Sequence, residues 1–120
     1  MIAGKHVICE KPLVSSLKEV DELEKISKAT GKIIFPVFQY RYGLGFSKLK
    51  ALIKSGLAGN PLVASLETHW NRGKDYYSKP WRGTWEGEQG GAILSHSIHI
   101  HDLVSMILGP VSNVFSKINN

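Results

Sequence analysis

A strand, a capped helix and a second strand follow one another at the start of this chain, and that order restricts the fold more than any other feature. Lys5 to Cys9 is a short β-favouring run that stops at Glu10-Lys11-Pro12, where proline disfavours helical backbone at the residue before it. Ser16-Leu17-Lys18-Glu19 has the spacing of a capping box, and Leu17, Val20, Leu23 and Ile26 recur near helical intervals until Gly31. Ile33 to Phe38 is again β-branched and aromatic. Two strands joined through one helix with so short a return favour a parallel pair with a right-handed crossover. The chain therefore reads as the edge of an open α/β sheet.

Beyond residue 42 the pattern starts afresh. A second amphipathic helix is expected from about Phe46 to Ser55, ending in Gly56 and Gly59, and Pro61 to Trp70 reads as a long strand. The span 71–89 is rich in glycine, aromatic and charged residues and is expected to be an irregular binding loop or lid. Gly90-Gly91 introduces a strongly apolar helix that runs to Leu108, where Gly109-Pro110 stops it, and Val111 to Lys117 reads as a last strand.

Composition narrows the class. At 120 residues with 42% hydrophobic and 21% charged residues, this is an ordinary globular chain with enough apolar material for a core. The formal charge of +5 raises the question of nucleic acid, but the lysines are spread along the helices, without zinc-finger spacing or a dense basic run. No apolar run approaches the roughly 20 residues of a membrane span, and the N-terminus lacks the signal-peptide succession, so no membrane and a cytoplasmic address are expected. The single Cys9, set in an apolar run, is expected to be a small buried hydrophobe.

The helix 92–108 carries the chemistry-bearing residues. Projected at about 100° per residue, Ser95, His99, Asp102 and Met106 fall in a strip roughly 60° wide, and Ile93, Ile100, Leu103, Val104 and Ile107 take up much of the rest. This predicts a helix buried nearly all round, with His99 pointing from a packed element. Taken alone, His99 reads more readily as a core histidine satisfied by Asp102 or by backbone than as a functional group. His96, His99 and His101 do not form a metal site, because His101 projects about 140° from His96. Lys11 follows directly on a parallel-type strand, at the end where open α/β sheets bind ligands, although a surface lysine would read the same way.

A resemblance bears on these alternatives. Ala3-Gly4-Lys5-His6-Val7-Ile8-Cys9-Glu10-Lys11-Pro12 resembles the Ala-Gly-Lys-His-Val-x-x-Glu-Lys-Pro segment of the Gfo/Idh/MocA family, the relatives of glucose–fructose oxidoreductase and inositol dehydrogenase. Tyr40-Arg41-Tyr42 is similar to the Arg-Tyr/Phe at the end of the family's dinucleotide domain, and Trp81-Arg82-Gly83 to its substrate-domain approach. Gly91 through His99 to Asp102 resembles the family helix in which His is followed three residues later by Asp.

The resemblance implies an α/β chain in two parts: residues 1–42 as the C-terminal part of a Rossmann-like NAD(P)-binding domain, and 43–120 as the first part of a substrate and oligomerisation domain with a large open sheet. It implies an NAD- or NADP-dependent dehydrogenase acting on the CH–OH group of a sugar, inositol or related acid, with Lys11 and His99 catalytic. Glu10, Lys11, Pro12 and Arg41 would lie on the cofactor side, and Trp81, Arg82, Ser95 and His96 on the substrate side. Assembly into a homo-oligomer through the sheet is also implied. An imidazole suits the chemistry, since removing hydride from a carbinol requires a base at its hydroxyl.

Two positions differ from the family pattern. Ser95, followed by His96, stands where many relatives carry aspartate four residues before the histidine. No Gly-x-Gly-x-x-Gly occurs: Gly43-Leu44-Gly45 has Lys48 where the third glycine belongs and follows the wrong strand. The chain is therefore expected to be an internal or N-terminally truncated stretch that binds NAD(P) weakly by itself. A ligand-sensing protein of the same fold, without catalysis, is the alternative reading.

Overall fold

The computed structural model describes residues 1–89 and 91–117; Gly90 of the expected Gly90-Gly91 pair lies outside them. Strand β1, Val7–Cys9, pairs in parallel with β2, Ile34–Pro36, in the register Val7↔Ile34, Ile8↔Phe35 and Cys9↔Pro36. Helix α1, Leu17–Thr30, makes the crossover. Its first turn is closed by the expected capping box: Ser16 Oγ accepts from the Glu19 N–H, and Glu19 Oε2 accepts from the Ser16 N–H at 3.0 Å. Gly31, with φ at +64°, ends it in the left-handed region that only glycine enters without strain.

A 3₁₀ turn, Gln39–Tyr42, leads into α2, Leu44–Lys54. Two single-turn helices, α3 at Lys74–Tyr77 and α4 at Trp85–Glu88, lie in the span expected to be irregular. Local caps form the second: Thr84 Oγ1 accepts from the Gly87 N–H at 3.0 Å, which fits a threonine at an N-cap. The apolar helix begins with a π-helical turn, Ile93–Ser97, and continues as α5, Ile98–Leu108.

The long-range sheet expected from the sequence is not present among the described residues, where the sheet has two strands only. Residues 61–70 and 111–117 belong to no strand. Their apolar, β-favouring character made them read as strands, but a strand exists only where a neighbour supplies the ladder. Leu62 is 90% and Phe115 96% exposed. The core is correspondingly thin. Phe46 is the one buried apolar residue among those described, and the Cα radius of gyration of 17.3 Å exceeds the roughly 14 Å of a compact domain this long.

Helix 92–108 is likewise not buried nearly all round. Ile93 is 57% exposed, and His99 is the only buried residue of α5. Cys9 is half-buried rather than enclosed. The helix correction has a physical cause: a helix with apolar residues on most sides needs neighbours on most sides, and among the described residues its main packing partner is the 3₁₀ turn with its flanking Phe38.

Candidate active site

The loop after β1 and the segment 81–95 meet around a cavity of about 380 Å³. Glu10, Lys11 and Pro12 form one wall; Trp81, Arg82, Glu88 and Ser95 line the rest. Six of the nine residues singled out in the sequence are thus gathered from stretches more than sixty residues apart. Lys11 Nζ donates to the Ser95 carbonyl, which lies in the π turn. Such turns carry one residue more than an α-helical turn and are frequent at functional sites.

His99 does not line this cavity. Its ring is 3% exposed, stacked on Tyr40 at 4.6 Å between centroids and edge-on to Phe38 at 6.2 Å. Its Nδ1 is buried without a partner among the described residues. Burial, followed by the charge of Lys11, holds the imidazole below its ordinary pKa, while Asp102 and Glu10 pull the other way. The aromatic neighbours of the ring, Tyr40 and Phe38, both come from the segment after β2.

Arg41 lies apart from the cavity, on Asp102. Its Nε donates to Oδ2 at 2.7 Å and its Nη2 to Oδ1, and this pairing raises the guanidinium's pKa. The regular helical projection put Ser95, His99 and Asp102 on one strip, but the π turn shifts the phase between Ser95 and His99, so they face different surroundings. His96 also turns away from the Lys11 cavity. It borders a second hollow with Tyr40, Glu67, His69 and Trp70, and meets the Trp70 ring edge-on at 5.0 Å.

Sequence reasoning missed Phe38, Tyr76 and Glu88. Glu88 receives Arg82 Nη1 at 3.1 Å and the Gly83 N–H at 3.0 Å. Burial pushes its carboxyl up, but these two donors outweigh that and leave it below the ordinary carboxylate range. Arg82 also stacks on the Trp81 ring at 3.8 Å, and its Nε is buried without a partner among the described residues. The aromatic and acidic density of 71–89 was the available signal, but it did not say which residue meets which. Among the described residues no group of three metal-ligating side chains converges.

The family description "GFO/IDH/MocA C-terminal domain" matches residues 46–120, and "Oxidoreductase family, NAD-binding Rossmann fold" matches residues 1–38. The chain belongs to the Gfo/Idh/MocA family. Myo-inositol 2-dehydrogenase of Thermotoga maritima is 33% identical over 115 residues, 95% of this chain and 32% of that protein. Trans-1,2-dihydrobenzene-1,2-diol dehydrogenase of Macaca fascicularis is 28% identical over 109 residues, 91% of this chain and 31% of that protein. The crystal structure of a probable dehydrogenase from Thermotoga maritima superposes with a TM-score of 0.60 at 29% identity, over 90% of this chain and 31% of that one.

This Gfo/Idh/MocA chain thus spans about a third of the length of these relatives. The family's nucleotide domain is a Rossmann fold, and β1, α1 and β2 are a parallel β-α-β unit of that kind. Gly43-Leu44-Gly45 is no phosphate cradle, since Gly43 caps α2 after a 3₁₀ turn rather than a strand. What this stretch of a Gfo/Idh/MocA protein supplies is the carboxyl end of β1 and the wall facing it. One orphaned nitrogen on the cavity wall, Arg82 Nε, fits a polar ligand that completes its hydrogen bonding.

Proposed function

We propose that this chain carries the reacting end of an NAD(P)-dependent dehydrogenase that oxidises the CH–OH group of a sugar, an inositol or a related polyol acid. The observation that carries this reading is the cavity itself. Glu10, Lys11 and Pro12 face Trp81, Arg82 and Ser95 across it. In this reading residues 1–42 complete the nucleotide domain and 43–120 begin the substrate domain.

A nicotinamide held beside Glu10, Lys11 and Pro12 would supply the acceptor for the hydride of the carbinol carbon. His99 takes the hydroxyl proton once its ring, covered here by Tyr40 and Phe38, is opened to the cavity; burial and Lys11 hold its pKa down, and Asp102 and Glu10 favour the cation that results. Lys11 exchanges the Ser95 carbonyl for the substrate hydroxyl and orients it. Glu10, Pro12 and Arg41 flank the nicotinamide side, Arg41 by fixing the His99 helix through Asp102. Trp81 offers a ring face and Arg82 its unpartnered N–H to the polyol, while Ser95 closes the far wall with His96 behind it, 2.9 Å from Ser95 Oγ. The relatives named myo-inositol 2-dehydrogenase and trans-1,2-dihydrobenzene-1,2-diol dehydrogenase agree with this class.

The test is reduction of NAD or NADP by the whole protein that carries this chain, over a panel of inositols, aldoses and sugar acids. A polyol-dependent rate lost in Lys11→Ala and His99→Ala is expected. A sensor without catalysis is favoured by one observation, the hydroxyl of Ser95 where a base would serve; tight binding of a polyol without any cofactor reduction would establish that reading instead.

A further inference from the structure

Four side chains between the cavity and the π turn form one hydrogen-bonded chain, and its direction can be deduced. Arg82 Nη1 can only donate, and it donates to Tyr76 Oη. At the other end the Gly91 carbonyl can only accept, and it takes the single proton of Ser95 Oγ at 2.6 Å. Ser95 Oγ lies 2.9 Å from His96 Nδ1 and, having spent its proton, must accept from it. His96 is then protonated at Nδ1, so in the neutral ring Nε2 accepts from Tyr76 Oη at 3.0 Å. Every donation runs from Arg82 to Gly91.

We propose that Tyr76 is a positioning residue that ties the placement of Arg82 on the cavity wall to the protonation state of His96. This rests on the dehydrogenase reading above for its kinetic part only. With His96 neutral, the Tyr76 hydroxyl gives its proton to Nε2 and offers a lone pair to Arg82. A proton added to His96 makes Nε2 a donor. The Tyr76 proton then has no acceptor in the relay, and two cations face one phenolic oxygen, so Arg82 loses its hold on Tyr76 and shifts on the cavity wall toward its remaining partner Glu88.

The surroundings of His96 favour the neutral ring. Burial is the largest influence; the cations Arg72, Lys11 and Arg82 add to it, and only Glu88 opposes it among the groups that shift this ring. Arg72 lies over the Trp70 and Tyr76 rings at 4.8 Å, Lys11 comes from the loop after β1, and Glu67 and His69 border the hollow on the other side of His96. Acid is therefore the direction in which the relay breaks.

The test has two arms on the whole protein. In ¹⁵N-histidine-labelled wild type, His96 is expected to be neutral at pH 7.5 with its proton on Nδ1; a proton on Nε2 instead overturns the proposal without any variant. Tyr76→Phe is expected to raise the His96 titration and mix its tautomers, and an unchanged ring signal overturns it. In kinetics, wild-type KM for the polyol is expected to rise about fivefold as His96 titrates, with kcat following His99, and Tyr76→Phe is expected to hold the raised KM at every pH. A wild-type KM that ignores the His96 titration overturns the coupling. Absence of any turnover in the wild type would instead remove the dehydrogenase reading and leave the ring signals to decide the relay.

Discussion

Arg41 and Asp102, 61 residues apart in the chain, meet in a two-pronged ion pair that fastens the turn after β2 to the helix bearing His99. Tyr40 and Phe38, which enclose the His99 ring, stand on the same turn. The pair is therefore what keeps the imidazole covered. Asp102→Ala is expected to destabilise the fold by about 1–2 kcal/mol, the worth of charged hydrogen bonds reduced for partial exposure. It should also lower the His99 titration further, because the carboxylate favours the imidazolium. Urea midpoints and histidine resonances measure the two effects; an unchanged midpoint would remove the fastening role.

Lys11 and His99 should fail differently on substitution. His99→Ala is expected to lower kcat for polyol oxidation by on the order of 10²-fold or more at neutral pH, since the proton then has no placed acceptor. Lys11→Ala is expected to do as much and to raise KM as well. Steady-state rates across the polyol panel decide it, and wild-type turnover in both variants would falsify the assignment.

Stability should depend on pH in two windows. His96 and His99 hold protons less firmly when folded than the ordinary value of 6.5, so unfolding takes up protons and stability falls as pH drops from about 6.5 through the lowered values. Glu88 and Glu19, both below 4.5 when folded, add a separate loss beneath about pH 4.5. A doubly substituted protein, His96→Gln with His99→Gln, is expected to flatten the upper window and keep the lower one in urea titrations. Persistence of the upper slope would contradict this.

Gly87 is held close against Trp81: a Cβ there would come within 2.8 Å of the Trp81 Cβ and 2.9 Å of its carbonyl carbon. Backbone must move to admit it. Gly87→Ala is expected to cost about 1–3 kcal/mol and to shift the tryptophan emission as Trp81 leaves the cavity wall. An alanine variant with native emission and stability would mean that α4 does not pin this wall.

Local signals in the sequence were read correctly wherever local chemistry decides the outcome. The Ser16 to Glu19 spacing foretold the capping box, Gly31 the helix stop, and the β-α-β order the parallel pair. Residues Glu10 to Pro12, Trp81, Arg82 and Ser95 were legible as site candidates because their types and resemblance pointed there, and they share a cavity. Partnership was not legible. Val63 and Val114 are β-favouring yet unpaired, because ladder formation depends on a neighbour that no local pattern specifies. The π turn was missed since a projection at fixed 100° steps assumes regularity, and its one surplus residue separated Ser95 from His99. Tyr76 escaped notice because an aromatic in a glycine-rich span carries no period.

The amine of Lys11 rests on a peptide carbonyl, and no carboxylate lies within ion-pair distance of it among the described residues. A tether made to a dipole can be released without stranding a bare negative charge behind it, so swapping that oxygen for an incoming hydroxyl trades like for like. The lysine arm is thus held ready but not locked, and recognition falls to the groups around it rather than to the arm itself.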